Sequence, residues 1–136
     1  MIVADASLIT CFAVRDERSE LADAVCAADP VWVAPVLWRS EVRNALVIYV
    51  QHAGMTMELA LLALQSVEEI IAGREYQVSS EQVMKLAGRS RCTAYDCEYV
   101  ALAQDLEAPL VTADEQILKA FPKIAVSLEK FAKKKR

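Results

Sequence analysis

Histidine is nearly missing from this chain, with His52 the single example, and none of the four cysteines, Cys11, Cys26, Cys92 and Cys97, forms a C-x-x-C pair. Nitrogen and sulfur ligand sets are thereby excluded, which leaves oxygen as the donor for any bound cation. No stretch approaches the roughly 18 uninterrupted apolar residues of a membrane span, and the opening segment has no basic run ahead of a long apolar one. A soluble, unexported, cytoplasmic protein is expected, its thiols reduced and serving mostly as small core residues. Internal repeats are absent, and the only biased segment is the basic end, Lys133 to Arg136.

What is present is a core. At 136 residues, 55% of them hydrophobic and 25% charged, the chain suits one domain, over 1–130, followed by a basic tail over 131–136. The net charge of −4 argues against a nucleic-acid partner, since such proteins usually carry a basic footprint. Setting aside four acids singled out below leaves 15 acidic side chains of the 19, against 15 Lys and Arg. The acidic balance therefore belongs largely to one candidate site, near which Arg39, Arg43, Arg89 and Arg91 fall in sequence.

The pattern along the chain alternates strand and helix. Ile2 to Ala4 reads as a buried strand, and a helix over about Ser7 to Val14 and another over 17–28 lead to a second strand, Val31 to Ala34. Helices follow at about Val36 to Ala53 and Thr56 to Ala72, stopped by Gly54 and Gly73; their short link predicts an antiparallel hairpin. The second half predicts a strand at Glu75 to Val78, helices over 80–88 and Thr93 to Glu107, a strand at Pro109 to Thr112, a short helix at Glu115 to Ala120 and a last strand at Ile124 to Val126. Near-continuous apolar strands between helices predict a short, mostly parallel sheet covered on both faces, a three-layer α/β/α sandwich.

Asp5, Glu41, Asp96 and Asp114 stand where packing alone would not put them, and an ionised acid in apolar surroundings is costly unless compensated. Asp5 and Ser7 could simply cap a helix, and Thr93 to Asp96 fits a capping box. Thr112 to Glu115 fits one too, which would leave Asp114 surplus. Glu41 discriminates, because it falls inside the third helix among Leu37, Trp38, Ala45 and Ile48, where no cap is needed. Asp5 and Asp114 both follow strands, the end at which parallel sheets gather their ligands. Acids brought within a few ångströms of each other repel unless a cation binds or protons remain. An oxygen-only site for a hard divalent ion is expected.

These residues resemble the PIN domain, and in particular the VapC-type toxins of bacterial and archaeal toxin–antitoxin pairs. The likeness rests on Ile2 to Ser7, on Trp38 to Leu46 around Glu41, on Tyr95 to Ala103 with Asp96 second, and on Leu110 to Asp114. Their order and spacing carry it, not any one motif. The resemblance implies a PIN-like sandwich, an Mg²⁺ or Mn²⁺ site of one or two ions at Asp5, Glu41, Asp96 and Asp114, and endoribonuclease activity through a metal-activated water, with those acids catalytic. Ser7 and Thr112 match the supporting hydroxyls, and Arg39, Arg43, Arg89 and Arg91 are candidates for weak substrate contacts. Cys97 and Glu98 depart from the commoner small or apolar residues; Glu98 is either an extra acid of the site or a surface residue, and the surface is the expectation. The implied partners are an RNA substrate and a VapB-like antitoxin peptide. A mean hydropathy of +0.24 adds an expected homodimer.

Three rival readings share some of these features. A receiver-type phosphoacceptor would want adjacent acids after the first strand and a lysine after the last. A phosphatase with Asp5 as nucleophile would want an acid where Ser7 stands. A catalytically weak PIN-like module that binds RNA or protein without cutting ranks below the nuclease, because all four acids are kept.

Overall fold

Ile2, Val3 and Ala4 are wholly buried, as a strand must be when helices cover both faces of its sheet. This strand, β1 (Ile2–Ala4), lies at the centre of the computed structural model, which describes residues 1–134. After it come α1 (Ala6–Ala13), α2 (Ser19–Ala28), β2 (Trp32–Pro35), α3 (Trp38–His52), α4 (Met57–Ile71) and β3 (Glu75–Tyr76). The second half contributes α5 (Ser80–Gly88), α6 (Ala94–Leu106), β4 (Leu110–Val111), α7 (Glu115–Ala120), β5 (Ala125–Val126) and α8 (Leu128–Lys134).

The sheet order is β3-β2-β1-β4-β5, and every pairing is parallel. Val3 is in register with Val33 on one side and Leu110 on the other. The chain thus lays β2 and β3 to one side of β1, then crosses to the opposite side for β4 and β5. Right-handed crossovers put α1 to α4 on one face and α5 and α6 on the other. Accordingly α1 packs against α2, α3 and α4, while α5 packs on α6, and α6 lies across β1, β2 and β4. The expected three-layer α/β/α sandwich is what forms. Because the strand order reverses between β1 and β4, their carboxyl ends open a crevice at the switch point.

Turn chemistry follows the sequence. Gly54, which ends the α3–α4 hairpin, has φ of +74°, a left-handed conformation that favours glycine. Several elements are shorter than expected by one or two residues at an end, β3 stopping at Tyr76 and α2 starting at Ser19, and two departures matter more. Helix α3 begins at Trp38 and not Val36, because Pro35 completes β2 and Val36 and Leu37 form the turn. Glu41 consequently sits in the first turn of α3, where the positive end of the helix dipole favours an acid. The predicted tail is helical in its first part: Leu128, Phe131 and Ala132 are buried, an i, i+3, i+4 stripe that seats α8 against α2. Residues 135 and 136 of that tail lie outside the described residues. Among the described residues no helix is long and apolar enough to cross a membrane, and the four cysteines are free.

Candidate active site

The carboxyl ends of β1 and β4 bring together residues more than a hundred positions apart. Asp5 follows β1 directly, caps α1, and is only 6% exposed. Its Oδ2 accepts the Ser7 hydroxyl at 2.6 Å and the Thr112 hydroxyl at 2.8 Å, with the Ser7 backbone N–H at 3.4 Å. Each hydroxyl has one proton to give and lone pairs to receive. Ser7 Oγ accepts from the Ala113 N–H at 3.0 Å, and Thr112 Oγ1 accepts from the Asp114 N–H at 3.0 Å. The expected support of Asp5 by Ser7 and Thr112 is therefore present, and it also clamps the loop after β4 to the start of α1.

Glu41, half-buried on α3, is held from the opposite face of the sheet by Tyr99 of α6, whose hydroxyl donates to Oε1 at 2.7 Å. In the sequence Tyr99 falls one turn after Asp96 on the same helix, with nothing local to mark it as a partner of Glu41. A buried tyrosine hydroxyl needs a partner, and that rule was the available signal. Asp96 is the acid of a capping box: Thr93 Oγ1 accepts the Asp96 N–H at 3.0 Å, and Asp96 Oδ2 accepts the Thr93 N–H at 3.3 Å. The ordinary structural role of Asp96 is thus real. Asp114 is not surplus to a cap, as the sequence suggested; it is itself the N-cap of α7, its Oδ1 accepting the N–H groups of Gln116 and Ile117 at 2.8 and 3.1 Å. Thr112 is free of that duty because it faces Asp5.

A common pattern emerges. Each of the four acids commits one oxygen to protein donors, while the second, Oδ1 of Asp5 and of Asp96, Oδ2 of Asp114 and Oε2 of Glu41, takes no hydrogen bond among the described residues. No buried side-chain oxygen there lacks a partner, so the second oxygen of nearly enclosed Asp5 reaches the surface. That is the form of a donor presented to a ligand.

Charge is concentrated at the rim. Burial pushes the Asp5 carboxyl above its ordinary range; the bonds from Ser7 and Thr112 pull it back, and the negative charge of Asp96 pushes upward again. Burial also raises Glu41, against the Tyr99 hydrogen bond and together with the charges of Asp5, Asp96 and Glu98. The Tyr99 hydroxyl is itself driven far up by burial and by Glu41, so it remains a donor. Asp114 meets this group through Thr112, and both it and Asp96 help raise the thiol of Cys92, on which burial acts most.

Among the described residues no three acidic, histidine or cysteine side chains converge closely enough to ligate one ion. Like charges at the rim repel, and each side chain turns to its own donor instead. The donor chemistry, carboxylate and hydroxyl oxygen with no nitrogen or sulfur, fits a hard divalent cation; the spacing as it stands is not that of a closed cage.

Of the four arginines, Arg39 is committed elsewhere. It donates to Glu75 at 2.8 and 2.7 Å and to Glu68 at 2.6 Å, and its guanidinium lies 5.2 Å from the Trp38 ring centre. This ties α3 to α4 and β3 and leaves little for a phosphate. Arg43, Arg89 and Arg91 are exposed and form no ion pair among the described residues.

No family model matches the chain. It is 31% identical over 125 residues to Ribonuclease VapC3 of Pyrobaculum aerophilum, a match covering 89% of this chain and 95% of that protein. Its fold is similar to the crystal structure of PAE2754 from Pyrobaculum aerophilum, with a TM-score of 0.74 and 20% identity over 98% of this chain and 95% of the other.

Proposed function

The chain belongs to the VapC ribonuclease family, and from that premise we propose that it is a metal-dependent endoribonuclease with a PIN domain. The observation that carries this reading is the set of uncommitted carboxylate oxygens at the β1–β4 switch point, around an Asp5 fixed by two hydroxyls. Asp5, Glu41, Asp96 and Asp114 would hold one or two Mg²⁺ or Mn²⁺ ions, which when bound supply positive charge for the phosphate and make water a better nucleophile.

The chain's own residues do the positioning. Ser7 and Thr112 fix one oxygen of Asp5 and leave the other to face outward. Tyr99 does the same for Glu41 and, as a donor that does not ionise, favours the charged carboxylate. The second oxygen of Asp96, whose partner oxygen belongs to the capping box of α6, would accept a proton from an attacking water. Exposed Arg43, Arg89 and Arg91 would meet the RNA backbone, offsetting an acidic surface. With water as nucleophile the 2′-hydroxyl is not a reactant, so preference for RNA must arise from binding contacts.

A VapB-like antitoxin peptide and a second copy of the chain belong to the same reading. Leu59, Leu61 and Leu62 of α4 are 57%, 58% and 61% exposed, which is apolar surface that a partner would cover. Copurification with a co-encoded small protein tests the former, and light scattering the latter. The rival reading is a PIN-like module that binds RNA without cutting it.

One experiment separates the two. Asn caps a helix about as well as Asp, so Asp5→Asn and Asp96→Asn should stay folded while Mn²⁺-dependent RNA cleavage falls on the order of a hundredfold. Mn²⁺ should raise the melting temperature of the unmodified protein and not that of the variants. Unchanged cleavage in both variants, or equal melting shifts in all three proteins, would overturn the nuclease reading.

A further inference from the structure

Beside the acids, the carboxyl rim of the sheet opens into a groove of about 370 Å³ lined by Val36 just past β2, Tyr76 of β3 with Gln77 and Val78 after it, Ser80, Val83 and Met84 of α5, and Glu98 of α6. Its size suits a small planar ligand. It is an open surface, since Val36, Tyr76 and Met84 are 48%, 37% and 70% exposed. Helix packing gives no reason to leave an aromatic and two large apolar side chains uncovered around one acid.

Glu98 is the single charged group in this wall. It is half-buried, and among the described residues it accepts no hydrogen bond and forms no ion pair. It stands two positions after Asp96 on α6, and Val36 follows β2, the strand paired with β1, so the groove lies along the same carboxyl rim as the acids. The sequence offered Glu98 as a surface residue; the fold puts it between the rim and a groove of mixed polar and apolar wall.

A carboxylate can only accept hydrogen bonds. Of the four RNA bases, only guanine presents two adjacent donors, N1–H and N2–H, on its pairing edge. Adenine and cytosine set a donor beside an acceptor, and uracil sets a donor between two acceptors, whose lone pairs would face the carboxylate. We propose that this groove binds a guanine base of the RNA next to the phosphate to be cut, its two donors on the Glu98 carboxylate and its ring against Tyr76 and Met84. The inference rests on the ribonuclease reading for its substrate class, and it adds the base that is read and the residue that reads it.

The test is a titration of the full chain, following the methyl resonances of Val36, Val83 and Met84, with guanosine, adenosine, cytidine and uridine 5′-monophosphates in turn. Guanosine monophosphate should bind with a Kd about tenfold or more below the others, a step of the size a bidentate base contact gives. Glu98→Gln and Glu98→Ala should both erase that preference, and Tyr76→Ala should weaken guanosine binding by roughly fivefold or more through lost stacking. Equal response to all four nucleotides, or a guanosine preference that survives both Glu98 variants, overturns the proposal. Mapping cut sites on mixed RNA keeps the two readings apart. Guanosine selectivity with no cleavage sinks the nuclease and leaves the groove; cleavage with neither guanine enrichment beside the cut nor selective binding sinks the groove and leaves the nuclease.

Discussion

Tyr99 of α6 and Glu41 of α3, 58 positions apart, are joined by a 2.7 Å hydrogen bond from phenol to carboxylate. The two helices lie on opposite faces of the sheet, so the bond crosses its carboxyl edge and fixes where Glu41 points. Tyr99 is only 1% exposed, and its ring is held by the core while its polar end serves the rim. One residue thereby couples packing to the site.

Tyr99→Phe should remove that donor without leaving a cavity. A hydrogen bond to a charged group contributes roughly 1.5–3 kcal/mol, and the half-buried Glu41 would be left without its partner. The expected outcome is a lower melting temperature and weaker Mn²⁺ binding, read by calorimetry. A variant equal to the parent in both would mean that the bond does not orient Glu41.

Glu41→Gln tests the opposite sign. Burial and the neighbouring charges of Asp5, Asp96 and Glu98 disfavour the ionised Glu41, while a Gln oxygen can still accept from Tyr99. Without divalent ions the variant should melt higher than the parent at neutral pH by an amount worth about 1 kcal/mol. It should also lose the stabilisation by Mn²⁺ that the parent shows. A variant that melts lower in metal-free buffer would show that Glu41 is structurally favourable as an anion.

Much of the frame was readable because local rules and global fold agree. Alternating apolar runs and helical stripes place the five strands, and Asp29-Pro30, Gly54 and Gly73 punctuate them. The four acids were legible too, since an ionisable group beside an apolar run conflicts with packing. Other features depended on long-range contacts or on the chain end, as Tyr99 did in reaching Glu41. Whether Thr112 or Asp114 caps α7 depends on a long-range competitor, Asp5, which takes the Thr112 hydroxyl. The engagement of Arg39 depends on Glu68 and Glu75, distant in sequence and adjacent only once α3, α4 and β3 pack. Helix α8 was hidden because four basic residues at the chain end dominate the reading of a seven-residue segment whose apolar stripe is Leu128, Phe131 and Ala132.

The hydroxyl pair around Asp5 should behave as a unit. Thr112 is 0% exposed, so Thr112→Val removes both the donor to Asp5 and the acceptor of the Asp114 N–H, at a cost of about 2–3 kcal/mol. Ser7→Ala should cost less, since Ser7 is partly exposed. The double variant should be non-additive by about 0.5 kcal/mol or more, because both hydroxyls serve the same oxygen. Strict additivity in urea denaturation would show that the two bonds act independently.

Arginine substitutions should divide into two kinds. Arg43→Gln, Arg89→Gln and Arg91→Gln should each weaken single-stranded RNA binding and lower the slope of log affinity against log salt by about 0.7 where a phosphate contact is lost. Arg39→Gln should leave that slope unchanged and reduce thermal stability, because its donors hold Glu68 and Glu75. A salt slope that falls for Arg39 and for none of the others would reverse the assignment.

The Arg39–Glu75 pair also sets an acid limit on stability. Hydrogen bonding to Arg39 is the largest influence on Glu75 and holds its carboxyl below the ordinary value of 4.5, with the charge of Arg39 and the Trp38 N–H acting the same way. A carboxyl whose folded-state affinity for protons is lowered stabilises the fold above its unfolded pKa, and that contribution disappears as pH falls through the folded one. Both side chains are partly exposed, 31% for Arg39 and 20% for Glu75, so solvent screening keeps the effect to about 1 kcal/mol. Glu75→Gln should therefore be less stable than the parent at pH 7, and the gap should close as the pH is taken below 4.5. The check is a pair of urea denaturation series at pH 7 and near pH 3; a gap that persists at the lower pH would show that Glu75 acts through packing and not through its charge.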